Sequence, residues 1–260
     1  MTDATAYTIG DLFSFLNDKI PPSLSCDWDN DGMMAVRSAL TPLTGVLCSL
    51  DITEDVIEEA ERNRCNCIVS HHPLIFRKLS SLTPDTAPLV LSLMDRGIGA
   101  MSFHTRLDAV EGGVNDTLLA RLGLKASGRF GADEVPLGRI ADLEGEVTFA
   151  AFCNTVRNAL RSPALHCVYA GSSVRRVAVL GGDGKGDWGS ALEAGADTYL
   201  TGTMSYNAML EAKTAGLNVV AAGHFFTENP VTETLAGWIQ GAFPGLPVRT
   251  SERGCEVFTL

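Results

Sequence analysis

Apolar residues at Ile9, Leu12, Phe13, Leu16 and Ile20 recur at helical spacing, and Thr8 with Asp11 makes a capping-box-like start. Pro21 and Pro22 end that helix, and the acidic segment Cys26–Gly32 follows. Beyond it, short apolar runs alternate with helical segments. GVLCSLDI (45–52), CIVSHH (67–72) and IGAMSFHT (98–105) predict strands. TEDVIEEAERN (53–63) is a helix capped by Thr53. APLVLSLMDRG (87–97) is a helix opened by Pro88 and closed by Gly97, and GVNDTLLARLG (113–123) is a third. Between about 124 and 146, short pieces containing glycine and acids replace the clean periodicity, which predicts a junction. A second series follows. Phe149, Phe152, Val156 and Leu160 mark a helix. Strands are expected at 165–170, 174–182, 198–202 and 217–223, with helices at 187–194 and near 204–214. A last helix carries Val231, Thr234, Leu235, Trp238 and Ile239, and GCEVFTL predicts a final strand. Strands that are apolar nearly throughout and separated by helices imply parallel or mixed sheets covered on both faces. The fold class is α/β, and the two halves follow one plan.

Three motifs at the ends of predicted strands carry chemistry. The first is Ser70-His71-His72-Pro73, where the turn that Pro73 helps to force lets neighbouring imidazoles approach two different ions. The second is His104-Thr105-Arg106-Leu107-Asp108, and the third is Gly223-His224-Phe225-Phe226-Thr227-Glu228. Ligands in open α/β sheets sit beyond the carboxyl ends of strands. Each motif alone is consistent with an ordinary loop or a capped helix start. Together, His71, His72, Asp108, His224 and Glu228 supply three imidazoles and two carboxylates. That is too many donors for one closed tetrahedral zinc and suits two divalent ions bridged by a carboxylate. Mixed nitrogen and oxygen donors suit Mn, Fe, Ni or Zn better than Mg or Ca.

The segments WDNDG (28–32), LDITEDVIEEA (50–60), SHHPLIF (70–76), HTRLD (104–108), GGDGKG (181–186), Thr201-Gly202 and GHFFTE (223–228) resemble the YbgI/YqfO-like dinuclear metal centre family, also called GTP cyclohydrolase I type 2-like or Ngg-one-interacting-factor-three-like. The resemblance spans nearly the whole chain and matches the family's short form. It implies metal ligation by His71, His72, Asp108, His224 and Glu228. Glu228 would bridge both ions, and His104 would lie beside them as the proton-transfer group. It also implies two α/β lobes, one of 1–124 plus 225–260 and the other of 125–224, with the metal site in the cleft between them and six chains in a ring of dimers. Two departures stand out. Arg106 replaces a usual Asn, and Thr203 and Tyr206-Asn207 replace an acid and a His.

Composition narrows the function. The formal charge of −11 argues against a general nucleic-acid or anionic-membrane surface. Bound cations would still let an anionic small molecule approach. The five-ligand constellation, with what the resemblance implies, makes hydrolysis the expected reaction and a small, nucleotide-like or phosphorylated molecule the expected substrate. A non-catalytic metal-binding scaffold or partner-binding protein is the rival reading. No run approaches a membrane span, and MTDATAYTIGDL lacks the features of a secretory leader. With seven cysteines and no Cys-x-x-Cys pair, reduced thiols in the cytoplasm are expected. Three further signals are discounted. Asp27-Trp28-Asp29-Asn30-Asp31-Gly32 starts like a calcium loop, but the position that needs a Glu is Ser38. GGDGKG lacks dinucleotide spacing and reads as a tight strand-to-helix turn. His166, inside LHCVYA, is expected in a core or an interface.

Overall fold

The structure, a computed structural model, describes residues 7–132 and 134–257. In chain order its elements begin with α1 (Ile9–Lys19), β1 (Gly32–Ala35), β2 (Val46–Ser49), α2 (Glu54–Arg62), β3 (Cys67–Ser70), α3 (Pro88–Arg96), β4 (Gly99–Ser102), α4 (Thr105–Ala109) and α5 (Val114–Arg121). They continue with β5 (Gly128–Phe130), β6 (Gly138–Val147), α6 (Phe149–Leu160), β7 (His166–Val168), β8 (Val174–Asp183), α7 (Trp188–Glu193), β9 (Thr198–Thr203) and α8 (Tyr206–Thr214). The last are β10 (Asn218–Ala221), α9 (His224–Glu228), α10 (Val231–Ala242) and β11 (Val248–Thr250). Among the described residues no helix is long and apolar enough to cross a membrane.

The chain forms two compact units. The first takes in Met1–Val110 and Thr232–Gly254. Its sheet runs β1-β4-β3-β2-β11, with β1 antiparallel to β4 and every other pair parallel. Leu47, Ile68 and Ala100 point to one face, where Val56, Ile57, Ala60, Val90 and Leu93 of α2 and α3 cover them. Val46, Cys48, Val69 and Met101 are buried on the other face, the strand alternation expected of a sheet covered twice. Burial pushes the Cys67 thiol up to about 12, so this sulfur behaves as a small hydrophobe. The capping box on α1 forms as expected, with the Asp11 N–H donating to Thr8 Oγ1 at 3.1 Å and Thr8 N–H donating to Asp11 at 2.8 Å.

The second unit takes in Glu111–Val231 and Cys255–Leu260. Its mixed sheet runs β5-β6-β8-β9-β10-β7, with β8, β9 and β10 parallel. Alternation again divides the core. Ala141, Val177, Val179, Leu200 and Val220 face α5 and α6, while Ile140, Ala178, Leu180, Tyr199 and Val219 face α7 and α8.

Several expectations need correction. The 124–146 stretch is not the junction between the units, because β5 and β6 form an antiparallel pair there and extend the second sheet. The units divide at 110/111 rather than at 124, since Leu118 and Leu119 of α5 sit in the second core. Likewise α9 belongs to the second unit, and the return to the first begins at Thr232 rather than at 225. The final strand is Val248–Thr250, parallel to β2, whereas residues 254–257 are not a strand; 258–260 and the first six residues lie outside the described residues. His166 is exposed on the edge strand β7 and is not a core residue. Of the cysteines, Cys48, Cys65 and Cys67 are buried, but Cys167 is exposed.

Arg139 ties α5 to the second sheet. It is 1% exposed, grips both carboxylate oxygens of Asp116 at 3.0 Å, and donates to Leu137 O at 2.8 Å. Removing one member of a buried pair strands the other charge. Asp116→Ala is therefore expected to cost about 3 kcal/mol. Denaturant unfolding reads this, and a loss below about 0.5 kcal/mol would place the pair among exposed, dispensable bridges.

Candidate metal centre

The parallel ladders of the first sheet pair Ser49 with Ser70 and Ser70 with Ser102. Two residues beyond each of these serines stand Asp51, His72 and His104. A shared register thus delivers three chemistry-bearing side chains to one carboxyl edge. The serines also fix the turns. Ser70 and Ser102 hydroxyls are 2.8 Å apart, and Ser70 Oγ donates to His72 O at 2.8 Å.

Each imidazole in this unit has its Nδ1 committed. His71 is fully buried and its Nδ1 lies 3.0 Å from Phe103 O, a carbonyl that can only accept. The proton is therefore on Nδ1, and Nε2 carries the lone pair. His72 Nδ1 meets Asp51 Oδ1 at 2.7 Å, and His104 Nδ1 meets Asp29 Oδ1 at 2.8 Å. Carboxylate or carbonyl partners on Nδ1 are the usual way a protein orients imidazoles for a metal. One ring nitrogen from each of His71, His72 and His104 lies within 4.8 Å of the others, a set able to hold an ion. Asp108, buried on α4, places Oδ1 3.8 Å from His71 Nε2.

Asp29 does more than hold His104. Its second oxygen accepts from Thr105 N–H at 2.9 Å and from Thr105 Oγ1 at 2.6 Å, so it also fixes the start of α4 that carries Asp108. Burial opposes ionisation of Asp29, but the His104 and Thr105 hydrogen bonds outweigh it and hold its pKa well below the usual carboxylate range. Burial likewise disfavours the charged form of His104. The hydrogen bond to Asp29 and the charges of Asp108 and Asp29 overcome this and raise its pKa. Through Asp29 the WDNDG segment thus braces His104 and α4, while Trp28 and Asn30 stay exposed. Its next acid, Asp31, accepts from Arg106 Nε at 2.9 Å. Arg106 is 2% exposed, also donates to Asn17 Oδ1 and Ile20 O, and lies 4.5 Å from the Phe103 ring centroid. Arg106 thus anchors α4 within the fold.

The second unit supplies His224 and Glu228. They lie one turn apart on α9, with Nε2 and Oε2 2.9 Å apart. Glu228 is buried. Gly223, at φ +91°, makes the turn from β10 into α9, and its N–H donates to Gly202 O at 2.8 Å. The glycine-rich turn explains the space around Glu228. A Cβ on Gly182 would lie 2.2 Å from Glu228 Oε1 and 3.3 Å from His224 Nε2. The turn's amides are committed to side chains. Gly181 N–H donates to Asn115 Oδ1 at 2.8 Å, Gly182 N–H to Thr227 Oγ1 and Gly184 N–H to Thr201 Oγ1, each at 3.2 Å. GGDGKG is therefore a cradle for Glu228. Thr203 directs its hydroxyl to Gly182 O at 3.4 Å.

The predicted donors thus fall into two sets, His71, His72 and Asp108 with His104 in the first unit, and His224 with Glu228 in the second. The donor chemistry of both, and the Gly182 cradle, fit divalent ions. Asp29 and Asp51 escaped the sequence reading as functional residues. Asp51 was findable, since it stands at the same offset after its strand as His72 and His104 do after theirs.

The sequence profile of Duf34/NIF3 (NGG1p interacting factor 3) matches residues 7–253. The chain belongs to this family. Among curated relatives, a Clostridium acetobutylicum protein named "GTP cyclohydrolase 1 type 2 homolog" is 31% identical over 250 residues, with 93% of each chain covered. A Clostridium perfringens protein of the same name is 35% identical over 232 residues, covering 86% of this chain and 87% of that one. Among solved structures, a hypothetical protein of Staphylococcus aureus has a TM-score of 0.88 at 26% identity, covering 98% of this chain and 99% of that one.

Asp29→Asn removes the charge that helps to raise the His104 pKa, and replaces one of the two acceptor oxygens by a donor, while leaving the burial of the ring. The pKa of His104 in the metal-free protein is then expected to fall, as followed by NMR titration of its ring protons. A pKa that stays where it is in the parent protein would show that Asp29 does not govern this ring.

Proposed function

We propose that the two donor sets together ligate a dinuclear centre and that the chain is a metal-dependent hydrolase of a small nucleotide or phosphorylated substrate. The observation that carries this is the donor set of the first unit, with His71 and His72 oriented through Nδ1 so that Nε2 is left to ligate, beside the buried Asp108. His71, His72, Asp108, His224 and Glu228 are the ligands, with Glu228 the bridging carboxylate. Two divalent ions, drawn from Mn, Fe, Ni or Zn, would supply Lewis acidity and a water acidified toward neutral pH. His104 sits beside the ligands with Nδ1 held by Asp29, which leaves Nε2 free to carry a proton to the leaving group. Asp51 and Asp29 keep the rings from rotating, and the Gly182 cradle leaves room for the carboxylate. The names of the two clostridial relatives support a cyclohydrolase-type reaction on a nucleotide. A hexameric ring of dimers belongs to the same proposal.

Elemental analysis after reconstitution is expected to give about two ions per chain, with a clear deficit in His72→Ala and Glu228→Gln. A metal-loaded panel of nucleotides and phosphoesters is expected to show turnover. In His104→Ala that turnover should fall by about 10²–10⁴ while metal content is kept, the range typical of a lost acid–base group. Fewer than one ion per chain, with Glu228→Gln behaving like the parent, would overturn the metal assignment. Full metal loading without turnover on any panel member would favour the non-catalytic scaffold instead.

A further inference from the structure

Two cysteines of the second unit stand apart from everything the candidate metal centre uses. Cys153 lies on α6, half-buried against the core that α6 covers. Cys167 lies on β7 and is exposed. Their sulfurs are 3.8 Å apart. We propose that Cys153 and Cys167 form a dithiol site that exchanges with small disulfides and closes reversibly into a cross-link between α6 and β7.

Three features of the fold support this. First, β7 is an edge strand that pairs only with β10, through the register His166–Ala221, Cys167–Val220 and Val168–Val219. An edge strand can shift laterally without breaking a ladder on its far side. The two sulfurs therefore need only a modest movement to reach the bonded separation of about 2.05 Å. Second, the Phe149 ring on α6 stacks on Tyr169, next to the end of β7, with centroids 5.4 Å apart and planes at 26°. That stack holds the helix and the strand together on the side where the thiols meet. Third, the pair divides the work of exchange. A hydrogen bond from Cys167 lowers the Cys153 pKa, while the same contact raises that of Cys167. Cys153 is thus the attacking thiolate and Cys167 the resolving thiol. By contrast, burial raises the pKa of Cys48, Cys65 and Cys67, which keeps them protonated and unreactive.

The chemistry balances with a low-molecular-weight disulfide as oxidant. The Cys153 thiolate attacks one sulfur of that disulfide and expels the other half as a thiolate, leaving a mixed disulfide on Cys153. Cys167 then loses its proton and attacks Cys153 Sγ, expelling the second half. Two protein thiols are oxidised to one disulfide, and one small disulfide is reduced to two thiols.

The test is oxidation of the full chain with oxidised glutathione, followed by alkylation, digestion under non-reducing conditions and mass spectrometry. The expected product is an intramolecular Cys153–Cys167 peptide pair, lighter by two hydrogens and reversed by reduced glutathione. Cys153 is also expected to react with iodoacetamide at pH 7 about tenfold faster than Cys167, whose thiol the shared contact holds protonated. In Cys167→Ser, glutathione should remain trapped on Cys153. Glutathione persisting on the parent protein with no 153–167 cross-link would overturn the proposal. So would cross-links that join separate chains or other cysteines.

Discussion

The parallel registration of β2, β3 and β4 is the constraint on which the first set of donors depends. Ser49, Ser70 and Ser102 stand level across the ladders, so Asp51, His72 and His104 emerge level at one edge. Side chains alternate along a strand, and a slip of one residue would turn the paired set to the opposite face. The register is held from within by the apolar residues that must face α2 and α3. Burial of Leu47, Ile68 and Ala100 therefore positions the imidazoles at the strand ends. The chemistry inherits its precision from the core.

Acids then divide into those that touch metal in the proposed centre and those that orient its ligands. Asp108 and Glu228 belong to the first group. Asp51 belongs to the second, accepting from His72 Nδ1 and leaving Nε2 as the donor atom, while Asp29 holds the Nδ1 of His104, the proton-transfer group. The same logic operates in the second unit through glycine. Gly182 leaves the volume that Glu228 fills, and Thr227 meets the Gly182 amide while anchoring to the His224 carbonyl. The net charge of −11 is thus partly an internal matter, since several of its carboxylates are buried with partners rather than spread over the surface.

Much of this was legible in the sequence. Apolar runs and caps located the strands from β2 to β4 and from β7 to β10; apart from the exposed edge strand β7, these are largely buried and read as continuous hydrophobic segments. The pairs His71-His72, His104-Asp108 and His224-Glu228 announced themselves by position after those strands. What stayed hidden lacked a local signal. β5 and β6 are interrupted by exposed polar positions and glycine, and only the pairing of β6 with β8, and of β5 with β6, makes them strands. The short helix α4 gave too few residues for a period to register. Asp29 looked like one acid among several in WDNDG until the fold brought it to His104, 75 positions away in sequence. Arg106 looked like a change at the site, yet its buried bonds to Asp31, Asn17 and Ile20 make it a structural anchor.

The central claim is that donors from both units serve one pair of ions. Electron paramagnetic resonance of the manganese-reconstituted, metal-saturated protein addresses it directly. A shared centre predicts the multiline spectrum of two exchange-coupled Mn(II) ions, lost when Glu228 is changed to Gln. Only the simple sextet of isolated Mn(II) at full occupancy, unaffected by that substitution, would contradict it.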